Sequence, residues 1–331
     1  MHKKRTLSIM AAALATILFT AGCTKEREAA PSKKEGKLDI YTTVYPLQFF
    51  TERIGGDHVH VSTIYPPGAD EHTYEPSQKD MMSLADADMF FYIGLGLEGF
   101  VSKAENVLNG QHVKLVATAE GLPLEASEGH EGHGQEDHAE GDHEEKHEDE
   151  AGHAHDHGGV DPHVWLDPVY SKELANVILD KLKVMDPKHG GEYEKNYKVL
   201  AKQLDELDTR FKEVGSQSKR KQIVVAHAAY GYWENRYGIE QIPISGLSTT
   251  DEPSQRKLKE VADLIKKEDI PFILFEQNVQ SKLADVIRKE TGAKALHIHN
   301  LSVLTEKELK DKENYFTLMD KNIEVLDEAL N

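Results

Sequence analysis

The sequence predicts an α/β protein of two lobes, each a parallel sheet flanked by helices, joined by a long rigid connecting helix. Three observations lead there. Short β-branched and aromatic runs alternate with helical patterns along most of the chain. Its 331 residues are long for one compact domain and ample for two, and 39% apolar residues are enough to build the cores. One amphipathic helix then separates two strand-containing halves.

The candidate strands are Leu38–Thr43, Val59–Ile64, Met89–Ile93, Val113–Val116, Ile223–Ala226, Phe272–Phe275 and Ala295–His299. Candidate helices are Pro46–Ile54, Gln78–Ala85, Ser171–Met185, Gln255–Glu268 and Ser281–Thr291, with a last one from Tyr315 to the end. The connector is read from periodicity. From Glu192 to Val214 the apolar residues fall at Tyr193, Tyr197, Leu200, Leu204, Leu207, Phe211 and Val214, with Lys, Asp and Glu opposite. Steps of three and four put them on one helical face. At ~1.5 Å per residue such a helix is about 30 Å long, the diameter of a small domain. The expected divisions are an N-terminal lobe over 37–190, the linker helix over 191–216 and a C-terminal lobe over 217–331.

The first residues read as targeting rather than fold. His2, Lys3, Lys4 and Arg5 form a positive start, and Leu7 to Thr20 carries no charge. That run is too short to span a bilayer comfortably, so residues 1–22 are expected to be a signal peptide. Ala21 and Gly22 precede Cys23, the only cysteine, which cannot form an internal disulfide. The arrangement resembles the lipobox of bacterial lipoproteins, which implies a lipid anchor on Cys23. Residues 23–36, rich in Lys, Glu, Ala and Ser, then form a flexible tether.

Charge narrows the partners. A formal net charge of -19 repels phosphate backbones, which excludes nucleic acid, and it attracts cations. Between residues 125 and 159 the composition shifts to His, Glu, Asp, Gly and Ala. That stretch holds His130, His133, His138, His143, His147, His153, His155 and His157. It has too little apolar surface to offset its ordering entropy, so a disordered loop within the N-terminal lobe is expected. Neutral imidazole is a common nitrogen ligand of zinc, and neighbouring carboxylates favour cation entry. The loop therefore reads as an accessory metal-binding segment with moderate affinity and fast exchange.

Three other histidines occupy ordered contexts. His72 lies in Pro66-Pro67-Gly68-Ala69-Asp70-Glu71-His72-Thr73-Tyr74-Glu75-Pro76, just after a strand. His163 lies in Asp161-Pro162-His163-Val164-Trp165-Leu166-Asp167-Pro168, immediately before a helix. His227 ends the strand Ile223-Val224-Val225-Ala226. Loops beyond the carboxyl ends of parallel strands line ligand crevices, where three histidines could converge on a metal.

These segments resemble the metal-binding lipoproteins of bacterial ABC importers for zinc and manganese, the cluster A-I family. Pro-Gly followed by His-x-Tyr-Glu-Pro at His72, Asp-Pro-His-x-Trp-Leu-Asp-Pro at His163 and His-x-Ala-x-x-Tyr at His227 follow in the family's order, from Leu38 to the C-terminus. The resemblance implies two α/β lobes joined by a rigid helix with the metal between them, and His72, His163 and His227 as ligands. It also implies an ABC permease and its ATPase as partners, a monomer, and a place on the outer face of the cytoplasmic membrane. Manganese-binding members usually carry a carboxylate at the third position, suiting a harder ion. Here that position is His227, so Zn(II) is expected. Many relatives supply the fourth ligand from the loop after the last strand. This chain reads His297-Ile298-His299-Asn300-Leu301-Ser302 there, with Ser302 at the carboxylate position. Glu276, His299 or a water are the candidates for the fourth place, Glu276 alternatively as a supporting contact.

Two motifs are discounted. His143-Glu144-Glu145-Lys146-His147 fits the His-Glu-x-x-His of zinc proteases but lies in low-complexity sequence. Gly94-Leu95-Gly96-Leu97-Glu98-Gly99 fits a dinucleotide-binding turn, yet Glu98 would set a carboxylate near the pyrophosphate. It reads as a strand-to-helix turn. The expected function is thus zinc capture outside the cytoplasm and delivery to a permease, not catalysis. The alternatives are a manganese-binding importer component or adhesin, and a zinc-dependent hydrolase. Because neutral imidazole binds the metal, affinity is expected to fall below about pH 6.5.

Overall fold

The structure, a computed structural model, describes residues 36–124, 160–277 and 281–331. The expected signal peptide, the Cys23 anchor, most of the tether and the His-rich loop with its eight histidines lie outside the described residues. No described helix is long and apolar enough to cross a membrane.

Residues 36–331 form one compact unit containing two four-stranded parallel sheets. The first sheet uses β1 (Leu38–Thr42), β2 (Val59–Thr63), β3 (Met89–Tyr92) and β4 (Lys114–Ala117) in the order β2-β1-β3-β4. Helices α1 (Tyr45–Gly55), α2 (Gln78–Asp86) and α3 (Val101–Leu108) make its crossovers. Next come α4 (Pro168–Met185) and the connector α5 (Gly190–Gln217). The second sheet repeats the same order as β6-β5-β7-β8, from β5 (Gln222–Val225), β6 (Glu240–Pro243), β7 (Phe272–Glu276) and β8 (Lys294–Ile298). Helices α6 (Tyr232–Tyr237), α7 (Gln255–Lys267), α8 (Lys282–Thr291), α9 (Glu306–Asp311) and α10 (Tyr315–Leu330) surround it.

The connector forms because its apolar stripe is buried on both sides of the molecule. Tyr193, Leu200, Leu204, Leu207 and Phe211 are all buried. They pack α5 against α1 and α4 at one end and against α6 and α10 at the other. In the second sheet the alternation of the strand decides which side a residue serves. Ile223 and Val225 of β5 face the large core shared with α5, whereas Val224 and Ala226 face a second core with Ile242, Val261 and Ile265.

Four elements were not anticipated. β6 is an edge strand whose Pro243 reads as a strand breaker, and an edge position is where a sheet tolerates proline. Helices α3, α6 and α9 span only 8, 6 and 6 residues, too short to display a full helical period. The turn at Gly94–Gly99 links β3 to α3, with positive φ at Gly94, Leu95 and Gly96. Glu98 folds back to accept the backbone N–H groups of Ile93 and Gly94 and the hydroxyl of Thr43. Its carboxylate occupies the amide donors that a phosphate would need.

Candidate metal centre

Each of the three histidines is set by its own local device. At His163, Asp161 Oδ1 accepts the backbone N–H two residues on, at 2.9 Å, and the ring Nδ1–H at 2.7 Å. One carboxylate thus fixes both the turn and the ring. Beyond it, Trp165 donates its indole N–H to the carbonyl of Asn300. Asp167 caps α4 by accepting the N–H groups of Val169 and Tyr170, with Pro168 in the first turn where its missing N–H costs nothing. Arg236 pairs with the other oxygen of Asp167. Most of the Asp-Pro-His-x-Trp-Leu-Asp-Pro motif therefore has a positional role.

His227 follows β5 at its carboxyl end, and Glu276 is the last residue of the neighbouring β7. This is the point where the strand order reverses, the usual crevice of an open α/β sheet. Glu276 Oε1 accepts from His227 Nδ1 at 2.8 Å and from the Tyr230 hydroxyl at 3.1 Å. His72 sits in the loop after β2. Asp70 Oδ1 accepts its backbone N–H, and Asp70 Oδ2 accepts the Thr249 hydroxyl at 2.7 Å.

With Nδ1 of His163 and of His227 directed at carboxylates, the Nε2 atoms point at one another. His163 Nε2 lies 3.2 Å from His72 Nε2 and 3.2 Å from His227 Nε2. Among the described residues, these three are the one group of His, Cys, Asp or Glu with ligand atoms all within 4.8 Å of one another. A tetrahedral ion with nitrogen ligands at about 2.0–2.1 Å has ligand–ligand edges of about 3.3–3.4 Å. The two distances from His163 are close to such an edge, and all three ligand atoms lie within 4.8 Å of one another.

The electrostatics differ among the three rings. Burial drives His163 well below the ordinary imidazole range, and burial with the neighbouring imidazoles lowers His72 to about 3. Burial also acts to lower His227, but the charge and hydrogen bond of Glu276 overcome it and raise the group to about 9. Burial acts to raise Glu276, and the His227 charge holds it below its usual value. In the metal-free protein the centre therefore holds a proton on His227, facing the lone pair of His163.

Of the candidates for the fourth ligand, Glu276 takes the supporting position and His299 faces elsewhere. Glu276 has both oxygens engaged, Oε1 as above and Oε2 by Asn300 Nδ2 at 3.1 Å, and it orients His227. His299 is turned away: Nδ1 accepts the N–H of Leu301 and Nε2 bonds Glu308. Ser302 donates its hydroxyl to Asn300. Glu71 was not singled out. It is 1% exposed, and Asn300 Nδ2 also donates to its Oε1 while its Oε2 has no hydrogen-bond partner. Burial and the nearby Glu276 raise it to about 7. Its adjacency to His72 was a usable signal; the supporting roles of Asp161 and Asn300 carried none.

A two-sheet α/β protein bridged by a long helix, with a buried three-imidazole centre at the strand ends, is by class a metal-binding protein. The chain belongs to the ZnuA family, described as zinc-uptake complex component A, periplasmic, which it matches over residues 40–329. It is 37% identical over 326 residues to the zinc-binding lipoprotein AdcA of Streptococcus pneumoniae (strain ATCC BAA-255 / R6), covering 97% of this chain but 60% of that protein. It thus spans well under two thirds of the AdcA length. It is 34% identical to the high-affinity zinc uptake system protein ZnuA of Bacillus subtilis (strain 168), covering 100% of this chain and 99% of that one. The Zn(II)-bound ZnuA-like domain of Streptococcus pneumoniae AdcA superposes with a TM-score of 0.70 at 34% identity, over 89% of this chain and 99% of the domain.

Proposed function

We propose that this protein captures Zn(II) outside the cytoplasm and delivers it to a membrane permease driven by a cytoplasmic ATPase. The observation that carries the reading is that His163 Nε2 lies 3.2 Å from both His72 Nε2 and His227 Nε2, with two of the rings anchored on carboxylates. His72, His163 and His227 are the ligands. Neutral nitrogen donors suit zinc better than manganese. Zinc is cargo here, held between the lobe of residues 37–190 and the lobe of residues 217–331 across the linker helix at 191–216. With Glu276 and His299 engaged elsewhere, a water takes the fourth place.

The rest of the chain fits this task. Residues 1–22 direct export, Cys23 carries the lipid anchor and residues 23–36 tether a monomer to the outer face of the membrane. The histidines of residues 125–159 collect zinc with fast exchange. The test is zinc titration by chelator competition. Alanine at His72, His163 and His227 together is expected to remove tight binding, and removal of residues 125–159 is expected to leave it. Unchanged tight affinity in the triple variant would overturn the assignment.

A further inference from the structure

Asn300 lies just beyond β8 and is 0% exposed. The hydrogen bonds of this one residue reach the neighbourhood of all three histidines. Its carbonyl accepts the indole N–H of Trp165, two residues beyond His163, at 2.7 Å. Its Nδ2 donates at 3.1 Å to Glu276 Oε2, and the other oxygen of Glu276 holds the His227 ring. The same Nδ2 donates at 3.1 Å to Oε1 of Glu71, the residue before His72.

The orientation of the amide is set. Its Oδ1 accepts the backbone N–H and the hydroxyl of Ser302 and the side-chain amide of Gln277. That leaves the NH2 group for the two carboxylates, which need donors. The loop carrying Asn300 is fixed as well. Asn322 brackets His299, donating to its carbonyl and accepting its N–H, both at 2.8 Å. Buried Leu301 stands at φ 59°, a left-handed conformation that a non-glycine residue keeps only where its surroundings impose it. His299 Nδ1 accepts the Leu301 N–H and holds that turn. The strained turn places the Asn300 amide between Glu71 and Glu276.

Rigidity at this point bears on which ion fits. Three imidazoles leave a four-coordinate ion one further place to fill, whereas a six-coordinate ion has three. His163 is 0% and His227 1% exposed, so three added waters fit only if the rings spread apart. Spreading them draws Glu71, Trp165 and Glu276 away from one another, and Asn300 joins all three.

We propose that Asn300 is a positioning residue that determines metal specificity, a role that rests on the zinc-capture reading above. By tying together the surroundings of His72, His163 and His227 it holds the centre at four-coordinate size and disfavours ions such as Mn(II) that take six ligands. This discrimination is separate from the preference of imidazole nitrogen for zinc, because it acts on the number of ligands and not on their chemistry.

The test is Asn300→Leu in the full chain, which nearly keeps the side-chain volume and removes the amide, with Zn(II), Mn(II) and Co(II) as probes. The zinc Kd, read by chelator competition, is expected to rise about tenfold. The Mn(II) Kd, read from the paramagnetic resonance of free Mn(II), is expected to stay or fall, so that the preference for zinc over manganese drops about tenfold or more. The visible absorption of bound Co(II), intense in four-coordinate sites and weak in six-coordinate ones, is expected to lose intensity. Ser302→Ala keeps the amide and removes one of the donors that orient it. It should move both readouts in the same direction by less, and it decides the matter if Asn300→Leu does not fold. Equal weakening of zinc and manganese with an unaltered Co(II) spectrum would indicate general support only and overturn the specificity role. Weak zinc binding by the unaltered chain would count against the zinc-capture reading instead, since the Co(II) spectra of the two chains still compare their coordination.

Discussion

His163 and His227 each hold a carboxylate at Nδ1, but burial raises Asp161 to about 7 whereas Glu276 stays below its usual range, and His227 is raised to about 9 while His72 and His163 are lowered. A metal needs the neutral ring, so below about pH 9 zinc must displace a proton from His227. Affinity is then expected to rise with pH by about tenfold per unit up to that value, rather than level off above about 6.5 as the unperturbed imidazole suggested. Calorimetry at pH 7 in buffers of different ionisation enthalpy should report about one proton released per zinc. Glu276→Gln removes the charge and keeps an acceptor for Nδ1–H, so proton release should drop. The same change should weaken zinc about 10–100-fold through loss of ring basicity. Loss of affinity with undiminished proton release would refute this account. The ligands themselves were legible in the sequence because imidazole is chemically distinctive. Their supports were not: Asn300 meets Glu71 across 229 residues and Glu276 across 24, and only the fold brings those side chains together.

Among the elements, the connector was legible end to end, since 28 residues of helix display their apolar stripe many times over. What periodicity could not show is its close approach to α6. A Cβ on Gly215 would fall 2.2 Å from the carbonyl oxygen of Tyr237. Alanine is the better helix former, yet Gly215→Ala is expected to destabilise the protein by about 1–3 kcal/mol through overpacking, read as a lowered thermal midpoint. The loops follow a different logic. Residues 66–76 are joined to the loop after β6 through the Asp70–Thr249 hydrogen bond at 2.7 Å. Thr249→Val keeps the shape and loses the hydroxyl. Stopped-flow transfer of zinc to a chelator should then be several-fold faster, with the melting temperature nearly unchanged. An unaltered release rate would show that this bond does not restrain His72. Short elements such as α6 and β6 stayed hidden for the same reason that loops do: too few residues repeat a pattern.

At the scale of the whole molecule, the fold class followed from alternation of strands and helices, and the two sheets indeed share one strand order. Less visible beforehand was the continuity of the core. Ile40, Phe50, Leu200, Phe211, Trp233 and Leu274 belong to one buried cluster that runs from the first sheet through α5 to the second. A cluster without a seam should melt as a unit. Differential scanning calorimetry of zinc-free protein is expected to give one transition, displaced upward by zinc in proportion to the logarithm of its concentration. Two separate transitions, only one of them zinc-sensitive, would show that the halves are energetically independent.

The three imidazoles come from chain positions far apart, His72 and His163 being separated by 91 residues and His163 and His227 by 64. Closing loops of that length has an entropic cost that only the finished tertiary structure offsets. The centre is therefore a property of the completed fold and absent from the nascent or unfolded polypeptide. A chain threaded through a membrane in extended form would carry no tight zinc site while crossing. It would acquire one only on folding at its destination, so the timing of folding itself decides on which side of the membrane the metal is taken up.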